Sequence, residues 1–314
     1  GRPKVAFVFP GQGGQWAGMG RQLLAEEPVF RAALEACDRA IAAEVGWSVL
    51  AELQAPPETA RLDRIEVVQP LLFAVEVGLA ALWRSWGIEP DAVVGHSMGE
   101  VAAAHVAAAL SLADAARVIC RRSRLLASIR GAGEMAVVEL PLAEAEAALR
   151  GLEDRLSVAA SNGPRTTVIA GEAAALAEVL ARLTAAQVFC RRVKVDVASH
   201  SPQVEPLREP LRAALAGLSP GTAQVPLRST VTGATLAGPE LGAEYWIANL
   251  RQPVRFAGAI AALVAEGHAV FVEVSPHPVL TPAVEEIRAA AGASGAAVGS
   301  LRRAWKRSFA CARA

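Results

Sequence analysis

Short apolar runs closed by glycine or proline alternate along this chain with amphipathic stretches of helical period. Val5–Phe9 is apolar throughout and ends at Pro10-Gly11, the pattern of a strand buried on both faces. Helical periodicity follows at 21–24 and 29–44, and again over 69–86. Ala92-Val93-Val94 predicts a second short strand, followed by an Ala-rich helix from Glu100 to about Leu110 and a further helix over 112–130. AVFVEV at 269–274 predicts a third buried strand. Strands alternating with helices predict an α/β fold, with a mostly parallel sheet covered on both faces.

The rhythm changes in the middle of the chain. Strands are predicted at 135–140, 156–160, 166–170 and 190–195, and helices at 142–150 and 173–185. This β-α-β-β-α-β order is that of a ferredoxin-like unit. It predicts a small subdomain, residues 131–196, inserted in a large one made of 1–130 and 197–314. The last stretch, AWKRSFACARA, has no clear pattern and reads as a linker remnant or an appended tail.

Composition narrows the function classes. Lys+Arg 31 balance Asp+Glu 31, which argues against a nucleic-acid or polybasic membrane surface. With 53% hydrophobic and 20% charged residues the chain is globular, and 314 residues can bury a core without staples. Cys37, Cys120, Cys190 and Cys311 stand far apart without a CxxC, so neither a disulfide framework nor a metal site is expected; a reducing compartment, the cytoplasm, is. No apolar run reaches the ~18 residues of a membrane span. The nearest, Leu71 to Trp83, is interrupted by Glu76. The N-terminal apolar run is too short for a signal peptide.

The chemistry begins at Gly95-His96-Ser97-Met98-Gly99-Glu100, a GxSxG placed between strand and helix. Its glycines permit a sharp turn that presents Ser97 at the strand's carboxyl end. The helix start points its free N–H groups at the same spot, so the N–H of Met98 is placed for an oxyanion hole. The bland reading is a tight turn whose Ser caps a helix.

Ser97 needs a base, and five histidines are available. His96 adjoins the nucleophile and suits a structural or substrate-lining role. His105 suits a packed helix position, His268 a surface turn before a strand, and His277 the rigid turn SPHP. His200, in Val197-Ala198-Ser199-His200, lies where the small unit rejoins the large one, and clefts form at such junctions. The N-terminal turn PGQGGQW offers Gly11 and Gly13 but has Trp16 where a dinucleotide fingerprint needs its third glycine. A backbone loop offering N–H donors fits it better.

PGQGGQ near the N-terminus, GHSMGE at 95–100, Arg122, SNGP at 161–164 and ASH at 198–200 occur together in order. Over nearly its whole length the chain resembles malonyl-CoA:acyl-carrier-protein transacylases, and within them the acyltransferase domains of type I polyketide synthases. The resemblance implies an α/β-hydrolase-like large subdomain with a ferredoxin-like small one. It implies Ser97 as acylated nucleophile, His200 as base, and the N–H groups of Gln12 and Met98 as oxyanion hole. It implies that Arg122 holds the free carboxylate of a dicarboxylic acyl group, and that the main-chain carbonyl of Asn249 orients His200. Gln69 and Asn162 match pocket-lining positions, with ordinary turn or helix-start hydrogen bonding as the alternative for each. No permanently bound cofactor is implied. Acyl-CoA is the substrate, and the partners are an acyl carrier protein with its phosphopantetheine and neighbouring domains such as a ketosynthase.

Arg122 lies in the basic run Arg121-Arg122-Ser123-Arg124, which alone would read as a solvated helix face. A guanidinium can nevertheless clamp a carboxylate through two parallel hydrogen bonds. Arg121 and Arg124 point elsewhere by the helical step and suit surface or partner contacts. Hydrolysis by an esterase or thioesterase stays open as the alternative to acyl transfer, and a scaffold with a degenerate site fits poorly. In the family HAFH tends to accompany malonyl and YASH methylmalonyl; this chain has VASH. Val197 and Ser199 leave room beside the acyl C2, which favours methylmalonyl over malonyl or a bulkier unit.

Overall fold

A computed structural model describes residues 2–195 and 197–303; the tail beyond falls outside the described residues. In chain order the elements are β1 (Lys4–Phe9), α1 (Arg21–Glu26), α2 (Pro28–Val45), α3 (Val49–Gln54), α4 (Ile65–Ser85), β2 (Ala92–Gly95), α5 (Gly99–Val106) and α6 (Leu112–Ser128). Then come β3 (Glu134–Val138), α7 (Leu142–Ala148), β4 (Leu156–Gly163), β5 (Thr166–Gly171), α8 (Ala173–Ala185) and β6 (Cys190–Val193). After a short 3₁₀ turn at Pro202–Leu207 follow α9 (Arg208–Ala214), β7 (Leu227–Arg228), β8 (Thr235–Leu236), α10 (Ala243–Arg251), α11 (Phe256–Ala265), β9 (His268–Glu273), α12 (Thr281–Ala290) and β10 (Ala296–Gly299).

The first sheet has the order β10-β9-β1-β2-β7-β8 and is parallel except for the β7–β8 hairpin. Its central strands are buried on both faces because their side chains alternate between two cores. Val5, Phe7, Phe9 and Val93 enter a large cluster with α2, α4, α5 and α6. Ala6, Val8, Val94 and Phe271 enter a second with α11 and α12. The second sheet is antiparallel in the order β4-β5-β3-β6, with its own core against α7 and α8. The fold is thus α/β, an α/β-hydrolase-like parallel sheet accompanied by a βαββαβ unit. The two are stitched together where Ser161 N–H donates to Val254 O (2.9 Å) and Val254 N–H to Ala159 O (2.9 Å). The chain leaves and re-enters the first unit at one place, since Ala198 N–H donates to Ala132 O (3.1 Å).

Several expectations shift. The helix expected over 69–86 starts at Ile65, and Pro70 lies within it. It is long and apolar enough to cross a membrane by length and composition, but most of it is buried in the core. The short strands β7, β8 and β10 carried no pattern that periodicity could detect. His268 is buried rather than a surface turn residue, because β9 begins there, in register with Lys4, and its Nδ1–H is held by Leu263 O (3.0 Å).

Candidate active site

Ser97 sits between the end of β2 and the start of α5 at φ 55°, a conformation that costs a non-glycine residue energy and that only a well-determined turn sustains. The flanking glycines make that turn possible. A Cβ on Gly95 would lie 2.2 Å from Glu100 N, and one on Gly99 2.1 Å from Phe9 O. Met98 is the N-cap residue of α5, so its N–H belongs to the set that the helix itself leaves unpaired. The loop after β1 packs alongside: a Cβ on Gly11 would meet His96 O at 3.3 Å and Met98 Cγ at 3.9 Å. Gln12 is exposed at the tip of this loop. Trp16 Nε1–H anchors the loop's far end on Pro276 O (2.9 Å).

His200 also has a positive φ, 60°. Ser97 Oγ lies 2.8 Å from its Nε2, and its Nδ1 lies 2.9 Å from Gln252 O. A carbonyl oxygen only accepts, so Nδ1 carries the proton and Nε2 presents its lone pair to the Ser97 hydroxyl. Burial, then the charge of Arg122, hold the imidazole neutral by lowering its pKa to about 3. Here the structure corrects the sequence reading. The carbonyl that orients His200 belongs to Gln252, not Asn249, because Asn249 is still inside α10 whereas Gln252 lies just past its end. The Asn249 side chain instead turns to Ser97, its Nδ2–H groups donating to Ser97 O (3.1 Å) and Glu100 Oε2 (2.9 Å).

Arg122, on α6, is 1% exposed. Its guanidinium donates to Gln69 Oε1 (3.0 Å) and Ser97 Oγ (3.2 Å), and burial lowers its pKa to about 10, with the Glu100 charge opposing that shift. Arg121 and Arg124 face away and brace the end of α2, Arg121 through the Glu44 carboxylate (2.8 Å) and Arg124 through Glu44 O (2.6 Å). His96 Nε2–H donates to Asn162 Oδ1 (2.8 Å), and its ring rests on Phe256. Burial lowers its pKa too. Val197 is buried in the same apolar cluster as Met98, and Ser199 is half-buried beside His200. His105 bonds the Leu110 carbonyl (3.0 Å), and His277 accepts from Arg303 N–H (3.2 Å).

The sequence reading assigned no role to Glu100, Thr230, Tyr245 or Gln252. Glu100 had a signal, one turn beyond Ser97 in GHSMGE; the other three are joined to the site only by the fold.

The family profile described as acyl transferase domain matches residues 6–313. The chain belongs to the acyl transferase domain family. This acyl transferase domain is 54% identical over 301 residues to the spectinabilin polyketide synthase system protein NorA' of Streptomyces orinoci, covering 96% of this chain and 8% of that protein. It is 51% identical over 301 residues to erythronolide synthase EryA2 of Saccharopolyspora erythraea, covering 95% and 8%. The chain therefore spans only a small part of these relatives. Among solved structures, the acyltransferase domain from module 8 of the salinomycin polyketide synthase superposes with a TM-score of 0.92 at 47% identity, over 96% of this chain and 71% of that one.

Proposed function

We propose that this acyl transferase domain loads a malonyl-type extender group from CoA onto the phosphopantetheine thiol of an acyl carrier protein through an acyl-Ser97 intermediate. The observation that carries the reading is the buried guanidinium of Arg122, 3.2 Å from Ser97 Oγ, with only neutral hydrogen-bond partners among the described residues. A carboxylate at the far end of a short acyl group would complete that pairing.

His200 Nε2 takes the Ser97 proton as Oγ attacks the thioester carbonyl. The N–H groups of Met98 and Gln12 receive the developing oxyanion. As the carbon–sulfur bond breaks, the imidazolium protonates the CoA thiolate. The carrier's thiol then repeats the sequence in reverse, with His200 again as base. Gln69 steadies Arg122, His96 and Asn162 line the pocket, and Gln252 holds the base in its working tautomer. No resident cofactor enters, and the free thiols of Cys37, Cys120 and Cys190 support a cytoplasmic setting. Neighbouring synthase domains, a ketosynthase among them, are proposed from the multidomain relatives. The division at residues 131–196 belongs to the same proposal. Methylmalonyl is the favoured extender, supported by the small Ser199 and by Val197 in VASH.

Intact-protein mass spectrometry after mixing with malonyl-CoA or methylmalonyl-CoA tests the reading. A lasting acyl adduct on Ser97 is expected. Rapid release of CoA and free acid would mean hydrolysis, and absence of both would remove the assignment. Competition between mixed acyl-CoAs then reads the extender.

A further inference from the structure

Behind the nucleophile lies a buried carboxylate that the proposed reaction does not use. Glu100 is 1% exposed, in the first turn of α5. Its Oε1 faces Thr230 N–H (2.6 Å) and Thr230 Oγ1 (2.8 Å); its Oε2 faces Tyr245 O–H (2.7 Å) and Asn249 Nδ2 (2.9 Å). Thr230 N–H donates on one side and Tyr245 O–H and Asn249 Nδ2–H on the other, while the single Thr230 hydroxyl hydrogen is shared between Oε1 and Gly95 O (3.0 Å), so a carboxylate suits the set and an amide does not.

We infer that Glu100 is a positioning residue for the Ser97–His200 pair, acting through Asn249. Ser97 O accepts from Glu100 N–H (3.1 Å) and from Asn249 Nδ2 (3.1 Å), which pins the backbone of a residue held at positive φ. With one N–H on Ser97 O and the other on Glu100 Oε2, the Asn249 amide has a single workable orientation, since a flip would turn its oxygen onto two acceptors. The residues after Asn249 hold the other half of the pair. Leu250 O accepts from His200 N–H (3.0 Å) and Gln252 O from His200 Nδ1–H (2.9 Å). Fixing Asn249 therefore fixes the stretch of chain that carries the base relative to the turn that carries the nucleophile.

The inference rests on the reading above only in taking Ser97 as the nucleophile. Its test uses a fluorophosphonate, which bonds to Ser97 Oγ with loss of fluoride and reports the pair's geometry without any acyl-CoA. In the full chain, Glu100→Gln leaves an N–H₂ facing either Thr230 N–H or Asn249 and Tyr245. The labelling rate, and kcat with malonyl-type CoA, are expected to fall about 10–100-fold, as small misplacements of reacting groups do. KM should stay close to wild type, since Arg122 keeps its contacts with Gln69 and Ser97. Adding Asn249→Ala to Glu100→Gln should cost no more than Asn249→Ala alone, because both act through one contact. Wild-type labelling in Glu100→Gln, or a double variant whose loss is the product of the singles, would overturn the inference. If Glu100→Gln does not fold by circular dichroism, Tyr245→Phe carries the test: slower labelling at unchanged KM supports it, and unchanged labelling overturns it. Wild-type protein that reacts with the fluorophosphonate but forms no adduct with malonyl-type CoA would count against acyl transfer and leave this test intact.

Discussion

Arg122 Nη2 donates to Ser97 Oγ across 3.2 Å, so the site's buried cation touches the proposed nucleophile directly. The same oxygen faces His200 Nε2 at 2.8 Å, and the three side chains form one line of contact. A buried guanidinium beside a serine is costly without a negative hydrogen-bond partner: burial, even against the opposing charge of Glu100, lowers its pKa to about 10.

Arg122→Ala should lower the specificity constant for malonyl-CoA and methylmalonyl-CoA about 10–100-fold, the range expected when a charge-assisted hydrogen-bond pair is lost. Propionyl-CoA and acetyl-CoA, which bring no carboxylate, should not share the loss. Arg122→Lys should recover part of it, as a point charge does not reproduce the fork. Acylation of Ser97 by paired dicarboxylic and monocarboxylic esters measures the shift. An equal fall in both classes would make Arg122 structural.

Ser97→Ala should give no adduct, and His200→Ala should slow acylation about 10²–10⁴-fold. The pH profile separates His200 from an ordinary histidine. Only the neutral imidazole accepts the proton, and a lowered pKa extends that form toward acid. Wild-type acylation by propionyl-CoA should therefore run level through the usual imidazole range near about 6.5 and fall only at lower pH. In Arg122→Ala one of the causes of the depression is gone, so the acid limb should move upward. A limb at ordinary imidazole pH in both proteins would contradict the assigned environment.

Much of this was legible in the sequence where a local pattern sufficed. The run Val5–Phe9, the GHSMGE turn and the βαββαβ rhythm are contiguous signals, and each forms close to where periodicity placed it. Contacts made only by folding were not legible. Nothing local says that Gln252 rather than Asn249 offers its carbonyl to His200; that depends on where α10 ends. Nor does sequence show Thr230 and Tyr245 converging on Glu100 from positions 130 and 145 residues away. Two-residue strands such as Leu227–Arg228 hold no period at all.

Gly99 and Gly258 should respond oppositely to alanine. At Gly99 a Cβ would sit 2.1 Å from Phe9 O and 2.5 Å from Pro10 O, both backbone atoms with no freedom to give. Gly99→Ala should cost more than the roughly 1–3 kcal/mol of ordinary overpacking and abolish fluorophosphonate labelling of Ser97. At Gly258, exposed on α11, a Cβ meets nothing within 4 Å. Gly258→Ala should stabilise by about 0.4–1 kcal/mol through the unfolded chain. Thermal melts of the two variants read both signs.

Glu76 offers a test of the core. It is fully buried on α4, and neither carboxylate oxygen has a hydrogen-bond partner. Burial, reinforced by the charge of Glu273, raises its pKa well above the carboxylate range. Glu273 itself is occupied in receiving the N–H groups of Leu280 (3.0 Å) and Thr281 (2.6 Å) at the start of α12. With the folded pKa above the unfolded one, the ionisation of Glu76 costs nothing below the unfolded value, where both states are protonated, and only its unpaired oxygens remain a cost. Above it the unfolded chain ionises first, and stability falls by about 1.4 kcal/mol per pH unit until the folded pKa is reached. Glu76→Met keeps the unbranched chain at similar length and removes both the charge and the unsatisfied oxygens. It should raise the melting temperature at pH 8 by the equivalent of at least about 1–3 kcal/mol, the cost of an unpaired buried polar group. The gain should shrink toward acid pH, as the wild-type carboxyl becomes neutral in both states. Melting curves for both proteins across that range decide it: a difference that does not change with pH would mean that Glu76 titrates alike in the folded and unfolded chain.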